Sequence, residues 1–125
     1  LGMYAKRFEE LQCWQMARKL TRAVYGYTQT PPFRRDRRFS DQVTGAAISI
    51  MNNIAEGFDA RTSKEFILFL GYSRRSCSEV QNCLYIALDQ NYIDNDNLRE
   101  TYGQCAQTRK MIDGLIRHLR SRKTA

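Results

Sequence analysis

Residues 48–58 read Ile48-Ser49-Ile50-Met51-Asn52-Asn53-Ile54-Ala55-Glu56-Gly57-Phe58. The fold is decided by how this stretch continues its neighbours. Extended upstream, Phe39, Val43, Ala47, Ile50 and Ile54 recur at helical spacing, and Ile48, Met51 and Ala55 form a second stripe beside the first. A helix apolar around so much of its circumference is either the central member of a bundle or partly buried against another subunit. Ser40 or Asp41 can cap its start, and Gly57 supplies a left-handed stop after Glu56.

Upstream, Cys13, Ala17, Leu20, Val24 and Tyr27 repeat at steps of four and three, with Arg18, Lys19 and Arg22 on the opposite side, which predicts an amphipathic helix over Phe8 to about Tyr27. Thr30-Pro31-Pro32 ends it, because proline removes a backbone donor and pushes its predecessor out of the helical region. Phe33 to Arg38 then reads as a basic connector.

Downstream, Thr62-Ser63-Lys64-Glu65 has the form of a capping box and opens a third helix. Its apolar stripe runs from Phe66 to Leu88, with Arg75 and Glu79 expected to pair across one turn. Asn91 to Asn95 supplies turn chemistry and a new cap, followed by Asp96 in the first turn of the fourth helix. That helix carries Leu98, Tyr102, Cys105, Ile112, Leu115, Ile116 and Leu119 on its core side and fades near Arg122. Gly103 and Gly114 weaken it unless they permit close helix contact. Nothing reads as a strand or a repeat. Four helices with short connectors predict an all-α, antiparallel up-down four-helix bundle, with residues 1–125 as a single domain.

Composition excludes several classes. Apolar residues make up 42% and charged residues 26% of 125, as in water-soluble globular chains. The longest uncharged run, Gln42 to Ala55, falls well short of the ~20 apolar residues that span a membrane. The first ten residues carry no apolar signal region, so a cytoplasmic location is expected. Cys13, Cys77, Cys83 and Cys105 contain no C-x-x-C pair, and Cys77 and Cys83 are offset by ~600° of helical rotation. They read as free, buried thiols rather than a zinc site. No phosphate-binding, dinucleotide-binding, zinc-protease or hydrolase motif occurs, so neither catalysis nor a cofactor or metal is expected.

Specific strings add to the periodicity. Phe8-Glu9-Glu10-Leu11 with Trp14-Gln15-x-Ala17, the stretch 48–58, Ser63-Lys64-Glu65-Phe66-Ile67-x-Phe69-Leu70, Ala87 with Tyr92-Ile93, and Met111-Ile112-x-Gly114-Leu115-Ile116 occur in order. Together they resemble the 23S rRNA intervening-sequence proteins, also called the four helix bundle protein family, over about Phe8 to Leu119. The resemblance implies an antiparallel four-helix bundle, a homopentamer, and a relationship to the accessory proteins of diversity-generating retroelements, which bind RNA and a reverse transcriptase. It implies no catalytic activity. Met51, where the family often has proline or a small residue, and the unusually basic connector are departures.

The net charge is +7, and six basic residues between Arg109 and Lys123 face only Asp113. Such a balance biases partners toward polyanions. Two clusters are candidate phosphate contacts: Arg34, Arg35, Arg37 and Arg38 in the connector, and Lys110, Arg117, Arg120, Arg122 and Lys123 in the last helix. The plain alternative for each is a solvated face. Tyr85, Tyr92, Tyr102 and Phe58 are possible base-stacking aromatics, against the more ordinary role of core or interface packing. Asn52, Asn53 and Glu56 form either an acid-amide site or, as favoured here, a buried hydrogen-bond network. His118 reads as a surface residue.

The expected function is a non-enzymatic, basic, homo-oligomeric module that binds RNA or an RNA-protein complex through these patches. The alternative is a scaffold that binds a protein partner without nucleic acid. Expected partners are further copies of the chain, RNA or DNA, and a reverse transcriptase or other protein, with no membrane.

Overall fold

The computed structural model describes residues 5–123. Among them are five α-helices and no strand: α1 Gln12–Thr28, α2 Pro31–Arg35, α3 Arg37–Phe58, α4 Ser63–Asp89 and α5 Asn95–Lys123. A 3-10 turn, Phe8–Glu10, precedes them. No described helix is long and apolar enough to cross a membrane.

The four long helices each pack on two others: α3 against α1 and α4, and α5 against α4 and α1. Cys13, Ala17, Leu20 and Val24 of α1 meet Val43, Ala47, Ile50 and Ile54 of α3 and the Phe66 to Ala87 stripe of α4 in one apolar core. Polar side chains cross between helices at defined levels. Gln42 donates to Glu79 at 2.8 Å, Ser76 to Ser49 at 2.9 Å, and Ser73 to the Ile50 carbonyl at 2.7 Å. Partner numbers on α4 fall as those on α3 rise. Between α4 and α5, Arg74 pairs with Asp113 at 2.7 Å and Gln81 donates to the Tyr102 carbonyl at 3.4 Å.

Several local expectations are corrected. The connector is not irregular: Pro31 and Pro32 begin the short helix α2, and Arg37 and Arg38 already belong to the first turn of α3. Its cap is Asp36, whose side chain accepts from the Phe39 amide at 3.3 Å, and not Ser40 or Asp41. Gly57 does not stop α3. It lies inside the helix, no described glycine has a positive φ, and a Cβ there would stand 2.8 Å from Phe66 Cδ1 and 2.9 Å from Phe69 Cβ. Glycine at this position serves a close helix approach.

The capping hydroxyl of Thr62 accepts from the Glu65 amide at 3.1 Å as the sequence predicts. Arg75 and Glu79 do not pair: Arg75 lies 5.9 Å over the Tyr72 ring, and Glu79 accepts from Gln42. Asn91 takes the left-handed conformation in the α4–α5 turn, with φ of 62°. Asp94 and Asn97 then cap α5 reciprocally, at 2.8 and 3.2 Å.

On α5 the buried seam is Thr101, Cys105, Thr108, Ile112 and Leu119, while Tyr102 is exposed. The threonines are admitted because their hydroxyls are satisfied, Thr108 by the Gln104 carbonyl at 2.7 Å and Thr101 by Tyr27 at 2.7 Å. Added Cβ atoms at Gly103 meet nothing within 4 Å, and at Gly114 only Arg117 at 3.8 Å, so neither glycine permits a close helix contact.

The second stripe of α3 stays only partly covered, with Ile48 exposed at 38% and Met51 and Ala55 half-buried. Asn52 and Glu56 are exposed and Asn53 bonds back to Ser49 at 2.9 Å, so these three form neither a buried network nor a joint site. The four cysteines are free and buried. Burial pushes the Cys13 and Cys77 thiols up to about 12 and raises Cys105 and Cys83 as well, which keeps them protonated and unreactive.

Candidate nucleic-acid interface

The joint between α1 and α3 is built by one aromatic anchor. Five residues are too few for a self-sustaining helix, so α2 must be held by tertiary packing. Phe33, only 2% exposed, stacks on Phe39 at 5.4 Å and on Tyr92 at 4.9 Å. The two prolines pre-set the backbone of the first turn, and the Arg34 amide closes it on the Thr30 carbonyl at 2.8 Å.

Asp36 separates the two arginine pairs. One carboxylate oxygen caps α3, and the other accepts from the Tyr92 hydroxyl at 2.8 Å. Ser40 donates to the Phe33 carbonyl at 2.9 Å, tying the first turn of α3 to α2. The hydrogen bond to Asp36, then burial, raises the Tyr92 pKa above that of a free tyrosine.

Arg34 and Arg35 occupy the last turn of α2, where a cation complements the helix dipole. Arg37 and Arg38 occupy the first turn of α3, where the same dipole opposes them by about 0.3–1 kcal/mol each.

Arg34, Arg35 and Arg37 line one open recess of about 640 Å³, together with Tyr25 and Thr28 of α1, its C-cap Gln29, and Ser40, Asp41 and Thr44 of α3. The hydroxyls of Thr28, Ser40 and Thr44 already donate to backbone carbonyls. The groups left to meet a ligand are therefore three guanidiniums and the Gln29 amide as donors, the Asp41 carboxylate as an acceptor, and the Tyr25 ring, 42% exposed. Among the described residues none of the three arginines has a carboxylate partner within ion-pair distance.

The predicted site residues do not come together. Arg38 is exposed beside the recess but does not line it. Lys110, Arg117, Arg120 and Arg122 are exposed along α5, whose Asn97–Thr101 turn packs on Tyr27 near the recess. At 1.5 Å per residue they lie roughly 14 to 32 Å further along that helix than Thr101. Lys123 ends α5, and its side chain is outside the described residues. Asp113 is already engaged by Arg74, and Arg109 is half-buried with a guanidinium nitrogen 3.4 Å from Gln81 Oε1.

Two of the four candidate stacking aromatics are occupied: Tyr92 by Phe33 and Asp36, and Phe58 by an edge-on contact with Phe66 at 6.1 Å. Tyr85 and Tyr102 are exposed and lie edge to face, 5.7 Å apart. His118 is exposed, as expected.

Sequence reasoning missed Tyr25, Gln29 and Asp41, and it left Arg18 and Arg22 unassigned. All five are exposed, and Arg18, Arg22, Tyr25 and Gln29 follow one another at helical spacing on the outer side of α1, with Arg18 5.7 Å over the Trp14 ring. The available signal was Tyr25 itself, an aromatic off the Cys13–Val24 core stripe, one turn after Arg22.

Comparison with known proteins bears on the fold and the family. A crystallised protein of unknown function from the S23 ribosomal protein family of Bacteroides thetaiotaomicron superposes with a TM-score of 0.73 over 83% of this chain and 97% of that one, at 18% identity. At that identity the likeness is one of fold. No curated protein matches. Residues 9–114 match the family described as 23S rRNA-intervening sequence protein, and with most of its length so matched the chain belongs to that family.

Proposed function

We propose that this protein binds RNA, alone or within an RNA-protein complex, through the recess formed by Arg34, Arg35 and Arg37, and that it does so without catalysing a reaction. The observation that carries the reading is three guanidiniums held around one concavity by a buried aromatic anchor, with no carboxylate among the described residues paired to any of them. Arginine forks donate bidentate hydrogen bonds to phosphate oxygens, and each neutralised phosphate releases condensed counterions. Arg38 and the α5 cluster of Lys110, Arg117, Arg120, Arg122 and Lys123 add long-range attraction from outside the recess.

The falling partner numbers between α3 and α4 and between α4 and α5 support an antiparallel up-down arrangement of the four long helices as one domain. The incompletely covered second stripe of α3, with exposed Leu68, Tyr72 and Ile86 on α4, favours self-association. The resemblance implies a pentamer and a tie to retroelement accessory proteins, and a cytoplasmic location fits such a partner. The same apolar side chains favour the scaffold alternative, in which the charge is incidental.

A salt series with RNA separates the two readings. Binding through the recess predicts that log K falls linearly with log salt, with a slope of about −0.7 per phosphate contacted on a single strand. No binding at low salt overturns the proposal in favour of the scaffold. Light scattering across a concentration range tests self-association, and a monomer at every concentration removes it.

A further inference from the structure

The recess mixes groups that a purely electrostatic phosphate site does not need. Beside Arg34, Arg35 and Arg37 it holds an exposed aromatic ring, Tyr25, and a carboxylate, Asp41, which stands one helical turn from Arg37 on α3 and repels phosphate. The Tyr25 hydroxyl has no hydrogen-bond partner among the described residues, and its ring contacts no other described aromatic ring, so neither end of the side chain is committed to the fold. A volume of about 640 Å³ admits a planar base with its sugar.

We propose that the recess takes an unpaired nucleotide of an RNA strand, its base stacked on Tyr25 and the flanking phosphates held by Arg34, Arg35 and Arg37. This rests on the RNA-binding reading above and specifies which form of RNA the site accepts. Asp41 disfavours a phosphate at its own position and accepts a hydrogen bond from a donor on the base or sugar, which leaves the phosphates to Arg34 and Arg35 and to the far side of Arg37. The bases of a duplex are stacked and paired and do not enter a side-chain recess, whereas an unpaired base is free to swing out and stack on an aromatic face. Arg18 and Arg22, exposed on the same outer side of α1 as Tyr25, continue the cationic track for the neighbouring phosphates.

The test compares one unstructured single-stranded RNA of about a dozen nucleotides with the blunt duplex of the same sequence, at equal salt, by fluorescence anisotropy. The proteins are the unaltered chain, Tyr25→Ala, Tyr25→Phe, and the combined Arg34→Ala, Arg35→Ala, Arg37→Ala variant. Stacking on a single base predicts that Tyr25→Ala weakens single-strand binding by roughly 5- to 100-fold, leaves duplex binding unchanged, and is rescued by Tyr25→Phe. The exposed position of Tyr25 predicts an unaltered thermal midpoint for that variant. If the unaltered chain binds neither RNA, the RNA-binding reading itself fails. If it binds both alike, and the arginine variant weakens both while Tyr25→Ala changes nothing, the reading survives and the unpaired-nucleotide inference is overturned.

Discussion

The two basic regions carry similar charge and are built in opposite ways. Arg34, Arg35 and Arg37 sit on two short turns fastened by Phe33, Asp36, Ser40 and Tyr92, so their backbone is fixed before any ligand arrives. Lys110, Arg117, Arg120 and Arg122 are exposed along one long helix, and none of them lines the recess. Charge count alone treats these regions as equals. Preorganisation does not, because a ligand that must order flexible side chains offsets part of every contact it makes. The recess should therefore supply contact energy and specificity, and α5 mainly attraction at a distance.

The strongest way to break that contrast is to remove the anchor. Phe33→Ala deletes a buried ring between two aromatic neighbours and should destabilise the protein by about 3–5 kcal/mol in denaturant titration, as buried Phe-to-Ala changes do. Whatever fraction remains folded should bind RNA like the triple arginine variant, although every arginine is present. Full binding by folded Phe33→Ala would mean that the guanidiniums need no fixed frame.

Next in size is a comparison of two triple variants of equal charge change. Removing Arg34, Arg35 and Arg37 should lower affinity by roughly 10- to 100-fold and flatten the salt slope by about 2 for single-stranded RNA. Removing Lys110, Arg117 and Arg120 should slow association, with an effect on affinity of less than about 5-fold. Equal losses would erase the distinction between the regions.

The same contrast explains what the sequence could and could not convey. The stripes through Cys13–Val24, Val43–Ile54 and Phe66–Ala87 are periodic properties of single helices, so the four long helices and most of the core were legible. The capping hydroxyl of Thr62 was legible too, because its partner lies three residues away. The start of α3 was not. Asp36 caps it through the Phe39 amide three residues on, but Ser40 and Asp41 are equally good cap residues, and what singles out Asp36, the Tyr92 hydroxyl 56 residues on at its other carboxylate oxygen, leaves no local pattern. The swap of Tyr102 for Thr101 and Thr108 in the α5 seam has the same origin, since the threonines are admitted by hydroxyl partners that hydropathy does not see. Arg34, Arg35 and Arg37 could be named as candidates from clustering. Their recess could not, because Tyr25 and Gln29 join it only when the Pro31–Arg35 turn folds back beside the end of α1.

A smaller effect sharpens the reading of α5. Gly103 is exposed in the middle of that helix, and an added Cβ would meet nothing within 4 Å. Gly103→Ala should therefore stabilise the protein by about 0.5–1 kcal/mol, through helix propensity and a less flexible unfolded chain. It should leave RNA affinity unchanged, because stiffening the helix beneath Lys110 alters no fixed contact. Gly57→Ala is the opposing control, since its Cβ collides with Phe66 and Phe69.

The smallest expected effect at neutral pH belongs to Tyr92→Phe, which keeps the ring stacked on Phe33 and deletes only the hydroxyl that donates to Asp36. Its signature lies in the pH dependence. The folded protein holds the Tyr92 proton more tightly than the unfolded chain, because the neutral hydroxyl donates to a carboxylate that would repel a phenolate. The unfolded state thus releases this proton first as pH rises. Its share of the stability is fully present below pH ~10 and declines above it. The buried thiols, held up to about 12 at Cys13 and Cys77, lose their share from about pH 9 in both proteins and so form a common background. Thermal midpoints of the two proteins should accordingly differ slightly at pH 7 and converge as the pH passes 10. Curves that stay parallel through that range would show that Asp36 and Tyr92 do not share a proton-dependent contact, and that the arginine frame is held by ring stacking, the Asp36 cap and the Ser40 hydrogen bond without it.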